Sequence, residues 1–426
     1  MTSKWKTWPL EECLDALIDY RGKTPVKTTS GIPLITAKVI KGGRIETPTE
    51  FISTDNYDAW MRRGMPKAGD VVLTVEAPLG EVAQLGPEKI ALAQRVVTLR
   101  GKAGFLDSTF LLYLLQSDEL QDKLKARATG TTVLGIKQSE LRKVLIAVPP
   151  YEFQLGVAAT MKSLDDRISL LRETNGTLEA IAQTLFKSWF VDFDPVRAKM
   201  EGRVPEGMGE ATAALFPDGL EESELGLVPR EWRVDSIYTA AQVIYGAPFA
   251  SKQFNSTGVG RPLIRIRDLR DESPGVFTPE VHPKGYLVQP GDIVVGMDGE
   301  FRAYLWGGEE AWLNQRVCVF APKPGFSAAF VHRSIMPLLA AVEASETATT
   351  VIHLGKNDIE RFRILFPDER VLAAFNSVMD GLYQRIVKSK QCAKTLTALR
   401  DTLLPRLISG QLRLPEASAE IEAIAA

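Results

Sequence analysis

Histidine and cysteine are scarce in this chain, three of each among 426 residues. Cys13, Cys318 and Cys392 lie far apart and lack metal-type spacing, which fits a reducing, cytoplasmic compartment. His282, His332 and His353 are isolated, the nearest two standing 21 residues apart, so no histidine-rich metal site is expected. No run approaches the ~20 apolar residues of a membrane span, so no membrane partner is expected. Lys4 and Lys6 are followed by no apolar h-region, so a secretory signal is not expected either. An excess of one charge is also missing: the net charge is −2. Residues 1–150 carry 21 Lys and Arg against 17 Asp and Glu, residues 230–368 carry 15 against 16, and the acidity gathers in 200–229, with 1 against 7.

Motifs of catalysis are lacking too. No Gly-x-x-x-x-Gly-Lys-Ser/Thr loop is present, and no glycine-rich turn between strand and helix offers a cofactor site. Val148-Pro149-Pro150-Tyr151 resembles the Pro-Pro-aromatic loop of amino-methyltransferases, but that loop needs Asn, Asp or Ser where valine stands. Its prolines better suit the end of a strand and the start of a helix. Asp298 and Glu300 are close carboxylates without a lysine at nuclease spacing. These absences argue against an enzyme and against any cofactor or metal held by this chain.

What is present is a repeat. Thr131, Thr132 and Val133 recur as Thr349, Thr350 and Val351, and the same offset of 218 relates Ile146 to Ile364, Pro149 to Pro367, Met161 to Met379 and Leu185 to Leu403. Upstream, with small drifts, Pro33-Leu34-Ile35 recurs as Pro262-Leu263-Ile264, Gly69-Asp70 as Gly291-Asp292, and Gln94-Arg95-Val96 as Gln315-Arg316-Val317. A collinear series of this kind means duplication of a unit far longer than a solenoid repeat. Each copy reads as a mixed α/β domain followed by a long helix. Runs at 71–75, 96–99 and 144–148 read as strands, and 109–124 reads as a helix carrying Leu112, Leu115, Leu120 and Leu124.

The boundaries that follow are 1–150 for the first domain, 151–200 for a central helix, 201–229 for an acidic linker, 230–368 for the second domain, 369–413 for a C-terminal helix and 414–426 for a tail expected to fray. Both helices keep apolar a and d positions over four or more heptads, a coiled-coil pattern. Leu164, Ile168, Leu171, Leu178, Leu185, Trp189 and Phe190 mark the first seam, and Met379, Leu382, Ile386, Leu396, Leu403 and Leu407 the second. Asn175 and Arg400 at a positions would fix register. Trp189, Phe190 and Phe193 suit either burial in the helix pair or an anchor for a partner subunit. At ~1.5 Å per residue each helix should run about 50–60 Å. The alternative is a pair of ordinary amphipathic helices, each lying on its own domain. If the helices pair antiparallel, two similar domains are separated by a spacer in a pseudo-two-fold, α+β arrangement suited to a bipartite target.

Basic clusters recur at corresponding places. Arg21, Lys23, Lys27, Lys38, Lys41 and Arg44 in copy one, and Lys252, Arg265, Arg267 and Arg270 in copy two, suit phosphate contacts and base-edge readout; any one of them also suits a solvated loop. The threonine loops, with Thr131, Thr132 and Lys137 in one copy and Thr349, Thr350 and Lys356 in the other, suit approach to a phosphate or a helix cap.

The sequence resembles a specificity subunit of a type I restriction–modification system over nearly its whole length. The resemblance is carried by residues 77–82 (Ala-Pro-Leu-Gly-Glu-Val), 94–97, 291–301 (Gly-Asp-Ile-Val-Val-Gly-Met-Asp-Gly-Glu-Phe) and 313–317. Its most specific pieces are 185–194 (Leu-Phe-Lys-Ser-Trp-Phe-Val-Asp-Phe-Asp) and 403–411 (Leu-Leu-Pro-Arg-Leu-Ile-Ser-Gly-Gln), with Val228-Pro229-x-x-Trp232 at the entry to copy two. The resemblance implies two target recognition domains, each reading half of a split sequence in double-stranded DNA. It implies a helix pair that sets the gap and docks two modification subunits, and a chain that is itself non-catalytic. S-adenosylmethionine on the modification subunits, and ATP and Mg on restriction (translocase) subunits, would serve the chemistry. The competing reading is a duplicated-domain scaffold that binds proteins without reading DNA.

Overall fold

A computed structural model describes residues 5–130, 132–345 and 352–425. The chain divides into two compact units, Met1–Ile168 with Thr395–Ala426, and Ser169–Lys394.

In the first unit the β-branched runs become the central strands Val71–Val75 and Val96–Gly101, which pair antiparallel with Val96 opposite Thr74 and Leu99 opposite Val71. Their side chains are buried on both faces, which is why the sequence reads as continuous apolar runs and not as alternation. Leu14–Asp19 and Leu79–Gln84 flank them in a four-stranded sheet. Beside it, Ile32–Ile35 lies between Phe51–Ile52 and, in parallel, Ala91–Leu92.

The second unit repeats this order. Val317–Pro322 and Ile293–Gly296 are central, Ala241–Tyr245 and Ala303–Leu305 flank them, and Arg261–Ile264 lies beside Phe277–Thr278 and parallel to Ala311–Leu313. In each unit a two-stranded ribbon, Lys6–Pro9 with Leu145–Val148 or Arg233–Ser236 with Arg363–Phe366, joins the entry of the domain to its exit, where a long helix begins.

Three local readings change. The helix expected over 109–124 is two, Ser108–Gln116 and Asp118–Ala126, because Ser117 is extended (φ −67°, ψ 141°) and its hydroxyl donates to the Leu114 carbonyl. The second copy has a single helix there, Ala328–Ser345. The acidic segment 201–229 is folded: it holds the hairpin Leu220–Ser223 with Gly226–Pro229, and Phe216 and Val228 are buried in the second unit's core. The tail expected to fray is a helix, Leu414–Ala425. Its Ala417 is buried, and Glu420 pairs with Arg406 at 2.8 Å, so tertiary contact supplies what the Ala- and Glu-rich sequence did not advertise.

The long helices, Tyr151–Phe190 and Glu369–Ile408, are 40 residues each, or about 60 Å at 1.5 Å per residue. Tyr151–Phe190 starts in the first unit and ends in the second; Glu369–Ile408 does the reverse. In the first unit Leu164, Ile168, Leu396, Leu403 and Leu407 are buried. Arg400 reaches Asp165 at 2.6 Å, and the Tyr113 hydroxyl donates to the same carboxylate. In the second unit Leu171, Met379 and Ile386 are buried and Leu178, Leu185 and Leu382 half-buried. There the two helices run antiparallel, Asn175 meeting Ile386 and Phe190 meeting Phe375. The a/d seam is shared between the partner helix and the domain: Met379, Tyr383 and Ile386 join one core with Phe301, Phe330 and Ile364. Trp189, Phe190 and Phe193 are buried in the same core, so their apolar surface is covered by the chain itself.

Asn175 is the weak point of that seam. Its amide donates to the Ile386 carbonyl at 3.3 Å, but its Oδ1 is buried without a partner. An unsatisfied buried acceptor costs about 1–3 kcal/mol. Asn175→Leu is therefore expected to stabilise the second unit by about 1–2 kcal/mol, measured as a higher urea midpoint at unchanged slope. A lower midpoint would show that the amide is a net stabiliser.

Candidate nucleic-acid interface

In each unit the two central strands end beside a tight turn that carries Gln-Arg-Val. In the first unit Val75 N–H donates to the Arg95 carbonyl at 3.0 Å; in the second, Met297 N–H donates to the Arg316 carbonyl at 2.9 Å. The loop before the last short helix docks against the same strand end in both, through Ile136 N–H to Val75 O (3.0 Å) and Leu354 N–H to Met297 O (2.8 Å). The duplicated turn and the duplicated loop thus meet at one place in each copy.

In the first unit the turn lines a cleft of about 150 Å³, walled by Thr24, Lys27, Lys38, Glu50, Ala77, Gln94 and Arg95 among others. Thr24 donates to Gln94 at 2.7 Å and Lys27 pairs with Glu50 at 2.9 Å. Lys38 and Arg95 are exposed and make no ion pair among the described residues, and Lys23, next to Thr24, is exposed as well. Arg21 has other work: it grips Asp19 at 2.6 Å and donates to the Ile136 carbonyl at 2.6 Å, fixing the docked loop. Lys137 follows that loop and is exposed, as is Thr132. Lys41 and Arg44 stand elsewhere, on a hairpin packed against strand Leu79–Gln84, where Lys41 pairs with Glu46 at 3.1 Å.

In the second unit Arg265 is tied to Asp268 at 3.0 Å and serves the turn it stands on. Arg267, Arg270 and Lys252 are exposed with no ion pair among the described residues, and Lys356 pairs with Glu360 at 3.5 Å. Thr131, Thr349 and Thr350 lie outside the described residues. Asp298 is engaged by His353 at 2.7 Å and by Arg316 at 3.4 Å.

Arg95 and Arg316 are the residues that sequence reasoning passed over. Gln-Arg-Val marked the repeat, and the signal available was that a charged residue recurs inside it. Among the described residues no group of three or more His, Cys, Asp or Glu could hold a metal ion, and no helix is long and apolar enough to cross a membrane.

Two similar mixed domains, each with a long helix and solvent-facing cations at the same strand ends, define a duplicated mixed α/β protein, and known proteins share its pattern. Residues 3–180 match the family described as the type I restriction modification DNA specificity domain. The chain is 27% identical over 365 residues to the MjaIX specificity subunit of Methanocaldococcus jannaschii, covering 83% of this chain and 80% of that one. It is 24% identical over 387 residues to the HindI specificity subunit of Haemophilus influenzae, covering 76% of this chain and 82% of that one. In fold it is similar to the S subunit of a type I restriction–modification system from M. genitalium, with a TM-score of 0.57 at 16% identity, over 95% of this chain and 96% of that one. The chain is thus similar in sequence to type I restriction–modification specificity subunits over most of its length, and its residues 3–180 match their DNA specificity domain.

Proposed function

We propose that this chain gives a restriction–modification complex its DNA specificity, each unit reading one half of a split target in double-stranded DNA. The observation that carries this reading is the duplication of the Gln-Arg-Val turn and its docked loop at the same strand ends of both units. The surrounding residues differ between copies, as two different half-sites require: Lys38 beside Arg95 in one, Asp298 and His353 beside Arg316 in the other. Base edges carry sequence information, while phosphate contacts fix register. The continuous helices suit a spacer that sets the gap between half-sites, and their exposed faces suit docking of two modification subunits and of restriction subunits. In this reading the chain holds no cofactor and performs no catalysis; S-adenosylmethionine, ATP and Mg belong to the partners.

Expression with the cognate modification subunit in a host without DNA methylation, followed by single-molecule sequencing, tests this directly. The expected result is adenine methylation at a split motif with a fixed gap. A contiguous motif would refute bipartite reading. A stable complex that adds no modification would favour a protein-binding scaffold.

A further inference from the structure

Arg95 and Arg316 stand on the same turn and are held by the same backbone hydrogen bond, yet their side chains meet different neighbours. Strand pairing sets Glu76 opposite Gly135 in the first unit and Asp298 opposite His353 in the second. Glu76 holds the place of Asp298, but with glycine in place of His353 it makes no ion pair with Arg95 among the described residues, and that side chain is exposed beside Lys38. Arg316 is restrained by a carboxylate: its Nη1 lies 3.4 Å from Asp298 Oδ1, an oxygen that His353 Nδ1–H holds in place at 2.7 Å, and the imidazole stands 3.1 Å from the guanidinium. Arg316 also has a left-handed backbone, φ 70°, a conformation uncommon for a side-chain-bearing residue and concentrated at functional sites. The cluster is not sealed: Arg316 is 57% and His353 44% exposed.

We propose that Arg95 and Arg316 are the equivalent DNA-contacting residues of the two units, and that Asp298 makes Arg316 a reader of a base edge where Arg95 is a phosphate contact. The inference rests on the half-site reading above. A carboxylate beside a guanidinium repels an approaching phosphate. It leaves intact the bidentate donation of arginine to O6 and N7 of guanine, and adds an acceptor for a cytosine amino group. Restraint favours this role, because base readout demands aim whereas a phosphate tolerates a mobile cation. Lys38 and Arg95 present only donors, the pattern that suits the backbone.

The test uses the complex with its modification subunits, with the methylated motif and the salt dependence of DNA binding as readouts. Arg316→Ala should make one base pair degenerate in one half-site, lower affinity for the intact target about tenfold or more, and leave the other half-site unchanged. Arg316→Lys keeps the charge but loses the fork, and should relax the same position. Arg95→Ala should weaken binding alike on all sequences and reduce the salt slope by about one, with the motif intact. An unchanged motif with Arg316→Lys, or a reduced salt slope without degeneracy in Arg316→Ala, would overturn the assignment. A wild-type motif that is not split removes the half-site reading and this inference with it. A split motif indifferent to both Arg316 variants removes this inference alone.

Discussion

Phe190→Ala is expected to lower the stability of the second unit by about 3–5 kcal/mol, the range for truncating a buried aromatic ring. Phe190 is 6% exposed and lies among five other rings. Its centroid is 4.8 Å from Phe375 in an edge-to-face contact, 5.2 Å from Phe186, 5.6 Å from Phe330, 5.8 Å from Trp232 and 6.1 Å from Trp189. Rings of this kind cannot collapse into the space a phenyl group leaves, so the cavity persists and its lining loses contacts outright. Edge-to-face pairs add about 0.5–1.5 kcal/mol beyond area. The ring joins the end of one long helix to the start of the other and, through Phe330, to helix Ala328–Ser345, so three elements loosen together. Urea denaturation followed by tryptophan emission reads the change, because Trp189 and Trp232 both flank Phe190. Phe190→Leu should cost less than about 1.5 kcal/mol, since volume is largely kept. A loss below about 1 kcal/mol in Phe190→Ala would show that the cluster is not a main support of the unit.

The second large effect is on pH. His332 is buried in the same unit, and burial pushes its imidazole down to about 4 from an ordinary value of 6.5. The Ala303 carbonyl acts against this shift, while Arg333 and Lys390 add to it. The neutral ring satisfies both neighbours: Nε2–H donates to the Ala303 carbonyl (3.1 Å), and Nδ1 accepts from the Tyr383 hydroxyl (2.9 Å). Because the folded value is the lower one, the unfolded chain binds the proton first. The contribution of His332 is fully present above pH 6.5 and is lost as pH falls towards 4. At 1.36 kcal/mol per unit the loss amounts to about 3 kcal/mol. Carboxylates titrate in the lower part of that window, so the measurement is a comparison of the wild type with His332→Gln. The variant is less stable at pH 7 and should lose about 3 kcal/mol less than the wild type on going to pH 4. Parallel stability curves for the two would refute the assignment.

Much of the fold was legible because its signals are local or periodic. The strands at Val71–Val75 and Val96–Gly101 follow from β-branched runs, and both long helices follow from heptads that need only sequence spacing. Ser117, which splits a leucine-spaced helix, was missed because its hydroxyl competes for the Leu114 carbonyl in a way that spacing does not reveal. The candidate site was half legible. Lys27 and Lys38 fall in one cleft, but Lys41 and Arg44 do not, and Arg21 and Arg265 are engaged by nearby carboxylates. A basic residue in a loop carries no mark of whether a carboxylate waits beside it.

The sequence by itself determined the duplication, the mixed α/β character of each copy, the two long helices and the resemblance to type I specificity subunits, because repeats, periodicity and motif spacing are properties of order along the chain. Only the tertiary structure decided the rest. It gave Trp189 and Phe190 to the second unit's core, folded 201–229 and the C-terminal helix onto their units, and set Asp298 and His353 around Arg316 while leaving Arg95 open. Those outcomes depend on which side chains from distant segments come within a few ångströms, and packing selects such neighbours jointly across the whole unit.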